Sequence, residues 1–160
     1  MITPDDFRNV LGHFASGVTI VTACDAEQRP TGLTASAFCS VSLDPPLVLI
    51  CVDHKSQSFP HIRESGRFGI NILPQAHEPL SRRFASSRLD KFDGVPFTLG
   101  ALGVPLIDQA LAHLECRTVS AHVEGDHTIF VGRVEAVGVG EGDPLLYFRG
   151  RYHRLSGDQA

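Results

Sequence analysis

A chain of 160 residues with a formal net charge of -4 has the size of one compact domain and offers no electrostatic reason to bind nucleic acid. Its 42% hydrophobic and 20% charged residues place it among ordinary soluble globular proteins and outside the disordered class. No apolar run reaches the length of a membrane span, and the opening MITPDDF has neither a basic segment nor a long apolar core. A single domain over residues 1–160 is therefore expected, cytoplasmic, with no signal peptide and no membrane partner.

Thr3, Pro4 and Asp6 form a helix start: a capping hydroxyl, proline in the first turn, then an acid. Phe7, Val10, Leu11 and Phe14 follow at helical spacing, and the helix is expected to end near Ser16-Gly17. Strands are expected over residues 18–22, over the long hydroxyl-rich stretch 32–42, over the apolar run 47–52 and over 68–73, with Asp44-Pro45-Pro46 as a break. Residues 56–64 and 75–86 have weak helical patterns, and 87–105 is rich in glycine and proline. The last third is the clearest β region: 111–123, a turn at Gly125-Asp126, 128–139, then short strands at 145–148 and 152–155. Many strands, one N-terminal helix and little βαβ alternation predict a mostly antiparallel barrel with appended helices.

The four cysteines, Cys24, Cys39, Cys51 and Cys116, lack C-x-x-C spacing and sit in apolar or strand-like runs. They read as free buried thiols in a reducing compartment. Eight histidines include no H-E-x-x-H or similar close ligand pair, and no metal is expected. Lys55 and Lys91 are the only lysines, and the excess of arginine reads as compositional bias.

No G-x-G-x-x-G, Walker-type loop or G-x-S-x-G occurs, so a Rossmann unit is not expected. Four segments have the residue types of a binding site. Thr34 to Ser42 alternates small, hydroxyl and apolar residues, which suits either a flat polar ligand or a hydroxyl-rich solvent face. His54-Lys55-Ser56 puts a cation and a hydroxyl at the start of a possible helix, suited to a phosphate or to a solvated loop. Gly125-Asp126-His127-Thr128 sets a histidine beside an aspartate that could orient it, or is simply a hairpin turn. Arg149 to Arg154 surrounds Tyr152 with basic groups, which fits a dinucleotide or a charged edge strand.

Together these segments resemble the flavin reductase domain family, most closely the small reductase components of two-component aromatic hydroxylases and related monooxygenases. The resemblance is carried, in order from about Asp5 to His153, by Phe7-Arg8-Asn9 with Phe14 to Thr19; Gly32 to Phe38; Ser40 to Val48; Phe68 to Leu73; Gly125 to Thr128; and Pro144 to Phe148 with Gly150 to His153. It implies a six-stranded antiparallel Greek-key split β-barrel with short flanking helices, forming a homodimer with FMN or FAD at the subunit interface. NADH or NADPH would be the hydride donor, and a flavin-dependent monooxygenase would receive the reduced flavin. By the same resemblance Thr34, Ala35, Ser36, Ala37, Ser40, Val41 and Ser42 line the flavin ring and ribityl chain. Lys55 and Ser56 lie near its phosphate, and Phe84 contacts it from the next helical segment. His127, Arg151, Tyr152, His153 and Arg154 would face NAD(P)H, with His127 supporting nicotinamide orientation and no single side chain catalytic. An FMN-retaining oxidase and a non-enzymatic flavin-storage protein are the alternatives on the same fold.

Overall fold

The first helix is defined by its entry. Thr3 Oγ1 accepts the Asp6 N–H at 3.1 Å, and the Asp6 carboxylate accepts the Thr3 N–H at 2.9 Å, a reciprocal cap with Pro4 in the first turn. A computed structural model describes residues 1–155. In it α1 spans Pro4–Leu11 and stops earlier than its apolar spacing suggests. Ser16–Gly17 instead form a short strand, β1, paired with Tyr147 and Leu146 far along the chain.

The strands that follow are β2 (Thr19–Cys24), β3 (Pro30–Ala35), β4 (Phe38–Leu43), β5 (Pro46–Asp53), β6 (Arg67–Ile72), β7 (Phe97–Leu99), β8 (Pro105–Ile107), β9 (Ala112–Glu124), β10 (His127–Val139), β11 (Leu146–Phe148) and β12 (Arg151–His153). Seven of them form one antiparallel sheet in the order β3-β2-β6-β9-β10-β5-β4. The helices α2 (Phe59–Ser65) and α3 (Glu78–Phe84) pack beside it.

The stretch from Gly32 to Ser42, expected as one strand, is two. The Phe38 N–H donates to the Ser36 carbonyl at 2.9 Å and turns the chain at Ser36-Ala37, with no glycine or proline to announce it. This break adds one strand to the six expected, and it makes the split barrel. β3 and β4 become the two ends of the hydrogen-bonded order, and the rolled sheet brings β3 back towards β5.

Phe68, Ile70, Cys116, Phe130, Ile50 and Val21 fill the barrel. Gly132 lies in their midst because a Cβ there would stand 2.6 Å from the Phe68 ring and 2.9 Å from Cys116 Cβ. A second cluster of Ile20, Leu73, Phe84, Ile107 and Leu145 fastens α3 to the barrel. The glycine- and proline-rich region holds β7, which pairs with β8 in a hairpin steadied by Glu115, whose carboxylate accepts the Ala101 and Leu102 N–H groups at 3.0 and 2.6 Å. β11 and β12 join through Arg149 and Gly150, both at positive φ (49° and 73°), as a two-residue hairpin requires.

All four thiols are free, but they are not all buried. Cys39 is exposed because β4 is an edge strand paired only with β5, and Cys51 is half-buried. Among the described residues no helix is long and apolar enough to cross a membrane.

Candidate functional site

Three segments distant in sequence meet around a cavity of about 380 Å³. β3 contributes Leu33 and Thr34. The loop after β5 contributes Asp53, Lys55, Ser56 and Gln57. The end of α3 and the chain beyond it contribute Phe84 to Ser87 and Lys91.

The loop is built by the end of β5. Asp53 Oδ1 accepts the Lys55 N–H at 2.8 Å, and the Asp53 carbonyl accepts the Ser56 N–H at 3.0 Å. His54 pins the loop to β10: its ring Nε2 lies 2.9 Å from Thr128 Oγ1, and its N–H donates to the Asp126 carbonyl at 3.0 Å. Lys55 and Ser56 are thus held towards the cavity by a turn. They are not at a helix N-terminus, since α2 begins only at Phe59.

The α3 wall is tied to β3 by the Thr34 hydroxyl, which donates to the Ser81 carbonyl at 2.6 Å. Phe84 lines the cavity from within the core. Its ring is 1% exposed, meets Phe92 edge-on at 4.9 Å and sits over Gly32, where a Cβ would stand 3.0 Å from it. Lys91 Nζ donates to the carbonyl of Phe84 at 3.0 Å and to that of Gly32 at 3.4 Å.

Thr34, Lys55, Ser56 and Phe84 are therefore brought together, and the other expected flavin residues lie elsewhere. Ala35 is buried in the barrel, Ser36 and Ala37 form the exposed link, and Ser40, Val41 and Ser42 stand on β4, outside the lining. β3 and β4 each pair on one side only, so the segment expected to hold a flat ligand supplies both ends of the sheet's ladder, with backbone donors lacking a strand partner.

His127 heads β10 opposite Asp53 in the register. Its Nδ1 lies 2.7 Å from Asp126 Oδ1, and this hydrogen bond, with the imidazole and Lys55 charges, holds the Asp126 carboxyl below its ordinary range. The histidine is thus oriented by its neighbour, as the sequence allows. The basic C-terminal segment does not line the cavity. The Tyr152 and Ser81 hydroxyls hydrogen-bond at 2.7 Å, and the Arg82 guanidinium lies 4.7 Å over the Tyr152 ring, so Tyr152 supports α3. Arg151 and His153 are exposed on β12, and Arg154 lines a separate recess with Gln75 and Asp143.

Sequence reasoning missed Leu33, Asp53, Gln57, Ala85, Ser86, Ser87 and Lys91. For Lys91 a signal was available: the only two lysines of the chain line the same cavity.

Residues 11–156 match the model of the flavin reductase like domain, and the chain belongs to that family. An NADH-dependent flavin reductase of Rhodococcus sp is 46% identical over 96% of this chain and 88% of its own. The reductase subunit HsaB of a flavin-dependent monooxygenase of Rhodococcus jostii (strain RHA1) is 40% identical over 99% of this chain and 81% of its own. Among solved structures, the NADH:FAD oxidoreductase SgcE6 of Streptomyces globisporus C-1027, in complex with NAD and FAD fragments, superposes with a TM-score of 0.92. It is 38% identical and covers 100% of this chain and 99% of its own.

Proposed function

We propose that this chain is an NAD(P)H-dependent flavin reductase, which transfers hydride from NADH or NADPH to FMN or FAD and supplies the reduced flavin to a flavin-dependent monooxygenase. The observation that carries the reading is the cavity itself. It joins the apolar Leu33 and Phe84 to the ammonium and hydroxyl groups of Lys55, Ser56 and Ser87, a set that fits a ligand with a flat ring and a phosphate tail. Its volume of about 380 Å³ is that of a small-molecule site.

Bound flavin supplies the redox chemistry, accepting hydride at its ring. The protein's task is to hold two rings about 3–3.5 Å apart in a fixed orientation, which needs neither a nucleophile nor an obligatory general acid. Backbone N–H groups of the Thr34 to Ser42 segment that lack a strand partner would stabilise negative charge developing on a ring carbonyl edge. Lys55 and Ser56 bind the phosphate. His127, steadied by Asp126 and adjoining the Asp53 turn, orients the nicotinamide nucleotide.

The same reading takes the chain as a single domain that works as a cytoplasmic homodimer. Phe14, Leu43 and Val139 are 81%, 96% and 88% exposed on one protomer, an apolar display that association would cover, and free thiols fit a reducing compartment. The test is oxidation of NADH and NADPH by the purified protein, followed by loss of nicotinamide absorbance, with and without FMN or FAD. Flavin-dependent turnover is expected. Flavin binding without turnover would replace the reductase with a storage protein.

A further inference from the structure

A second recess opens between α3, the chain after Phe92 and the end of β8, and it shares no lining residue with the cavity described above. Its volume is about 450 Å³, within the range of small-molecule sites. Leu80, Val95, Pro96 and Ile107 give it an apolar wall, and Leu80 and Val95 pack inward on the cluster that holds Ile107. Arg83, three residues on from Leu80 and on the same face of α3, closes the other side with His77, which stands just before the helix.

The two basic side chains lack the partners their burial calls for. Arg83 Nη2 donates to the Asp90 and Asp93 carbonyls, both at 2.7 Å, so neutral groups alone fix the guanidinium. Arg83 takes part in none of the ion pairs among the described residues. The acids around it are committed or exposed. Arg88 grips the Asp90 carboxylate at 2.8 and 2.9 Å, Arg82 grips that of Glu78 at 2.8 Å, and Asp93 and Asp108 are exposed. Arg83 Nε is buried without a hydrogen-bond partner, and so is His77 Nδ1. Burial pushes the His77 imidazole below its ordinary pKa, so the ring is neutral and either nitrogen can carry the proton. Polar groups left unpaired away from water cost free energy, which a ligand with an acceptor for them would recover.

We propose that this recess is a second ligand site, which takes a small organic monocarboxylate with an apolar body. The carboxylate meets the Arg83 guanidinium and the His77 ring, each turned slightly outward to present its unpaired nitrogen, and the apolar body lies on Leu80, Val95 and Ile107. One guanidinium beside a neutral imidazole balances a single negative charge, which favours a carboxylate over a phosphate or a dicarboxylate. No residue of the flavin cavity takes part, so the site stands or falls apart from the flavin reading.

Benzoate is the probe, and benzamide is its neutral counterpart of the same shape. Calorimetric titration of the purified protein should show one benzoate per chain with a Kd of about 0.1–1 mM, and benzamide should bind about tenfold more weakly or worse. Saturating FMN should leave benzoate binding in place. Arg83→Gln should weaken benzoate about tenfold or more. Gln109→Glu, an isosteric change at an exposed position of the lining, adds a negative charge and should weaken benzoate about two- to fivefold. Should Arg83→Gln not fold, the benzoate-to-benzamide ratio and Gln109→Glu decide. Four results would overturn the site: no benzoate binding up to about 10 mM, benzamide bound as well as benzoate, benzoate displaced when FMN fills its own cavity, or wild-type benzoate affinity in Arg83→Gln.

Discussion

The barrel interior around Gly132 and the cavity wall around Gly32 use one device for opposite ends. In each, a strand glycine makes room for a phenylalanine ring: Phe68 against Gly132, Phe84 against Gly32. In each, an ionisable side chain sits beside that glycine and phenylalanine, away from water. In the interior it is Cys116, which burial first, and then the Glu115 and Glu135 charges, push up to about 12, so it stays a neutral thiol. At the cavity wall it is Lys91, an ammonium given only carbonyls. A thiol accepts a dry site by keeping its proton; a cation accepts one only with help from outside the fold. The first region is built for stability and the second for a ligand.

This contrast breaks first at Gly132. Gly132→Ala forces a methyl against the Phe68 ring and Cys116, both wholly buried, and should destabilise the protein by about 2–3 kcal/mol in urea unfolding. Flavin affinity of the folded fraction should barely change. Gly32→Ala is the complementary case. The added methyl meets the Val21 carbonyl, a backbone atom, at 2.9 Å and the buried Phe84 ring at 3.0 Å, so the β2–β3 pairing has to shift. A stability loss of about 1–2 kcal/mol is expected, but with clearly weaker FMN binding, because the carbonyls that hold Lys91 shift. If both variants lost stability and flavin affinity in the same proportion, the two regions would not be separable.

A smaller effect is expected at His127. His127→Ala should raise the KM for NAD(P)H about three- to tenfold while changing flavin affinity less, as steady-state kinetics and flavin titration would show. An unchanged KM would take the histidine out of the nucleotide site. The interior also carries a pH dependence. Because the folded Cys116 pKa is raised from 9.0 to about 12, its contribution to stability is complete below 9.0 and is lost as pH rises towards 12. Urea midpoints of the native protein should fall over that interval, and those of Cys116→Ala should fall less steeply.

Much of the architecture was legible because it is written in local chemistry. The Thr3 cap, the turn at Gly125-Asp126 and the paired strands on either side of it need only neighbouring residues to be read. What escaped depends on distant partners. The apolar period of α1 runs on through Phe14, yet Ser16-Gly17 is claimed by β11. The turn at Ser36-Ala37 rests on one backbone hydrogen bond with no special residue to mark it. The β7–β8 hairpin is steadied by the carboxylate of Glu115, well downstream in β9. The site divides likewise. Thr34, Lys55, Ser56 and Phe84 were visible through the family pattern. Lys91 was not, because its significance lies in Gly32 and Phe84, carbonyls that reach it only in the folded chain.

The most direct measurement of the central claim is a crystal structure of the protein with FMN. The account predicts the ring beside the β3 edge and the phosphate between the Asp53–Gln57 loop and Lys91, within about 2.7–3.2 Å of its Nζ. Flavin seated elsewhere, for instance in the recess lined by His77, Leu80 and Arg83, with the β3 cavity empty, would contradict it.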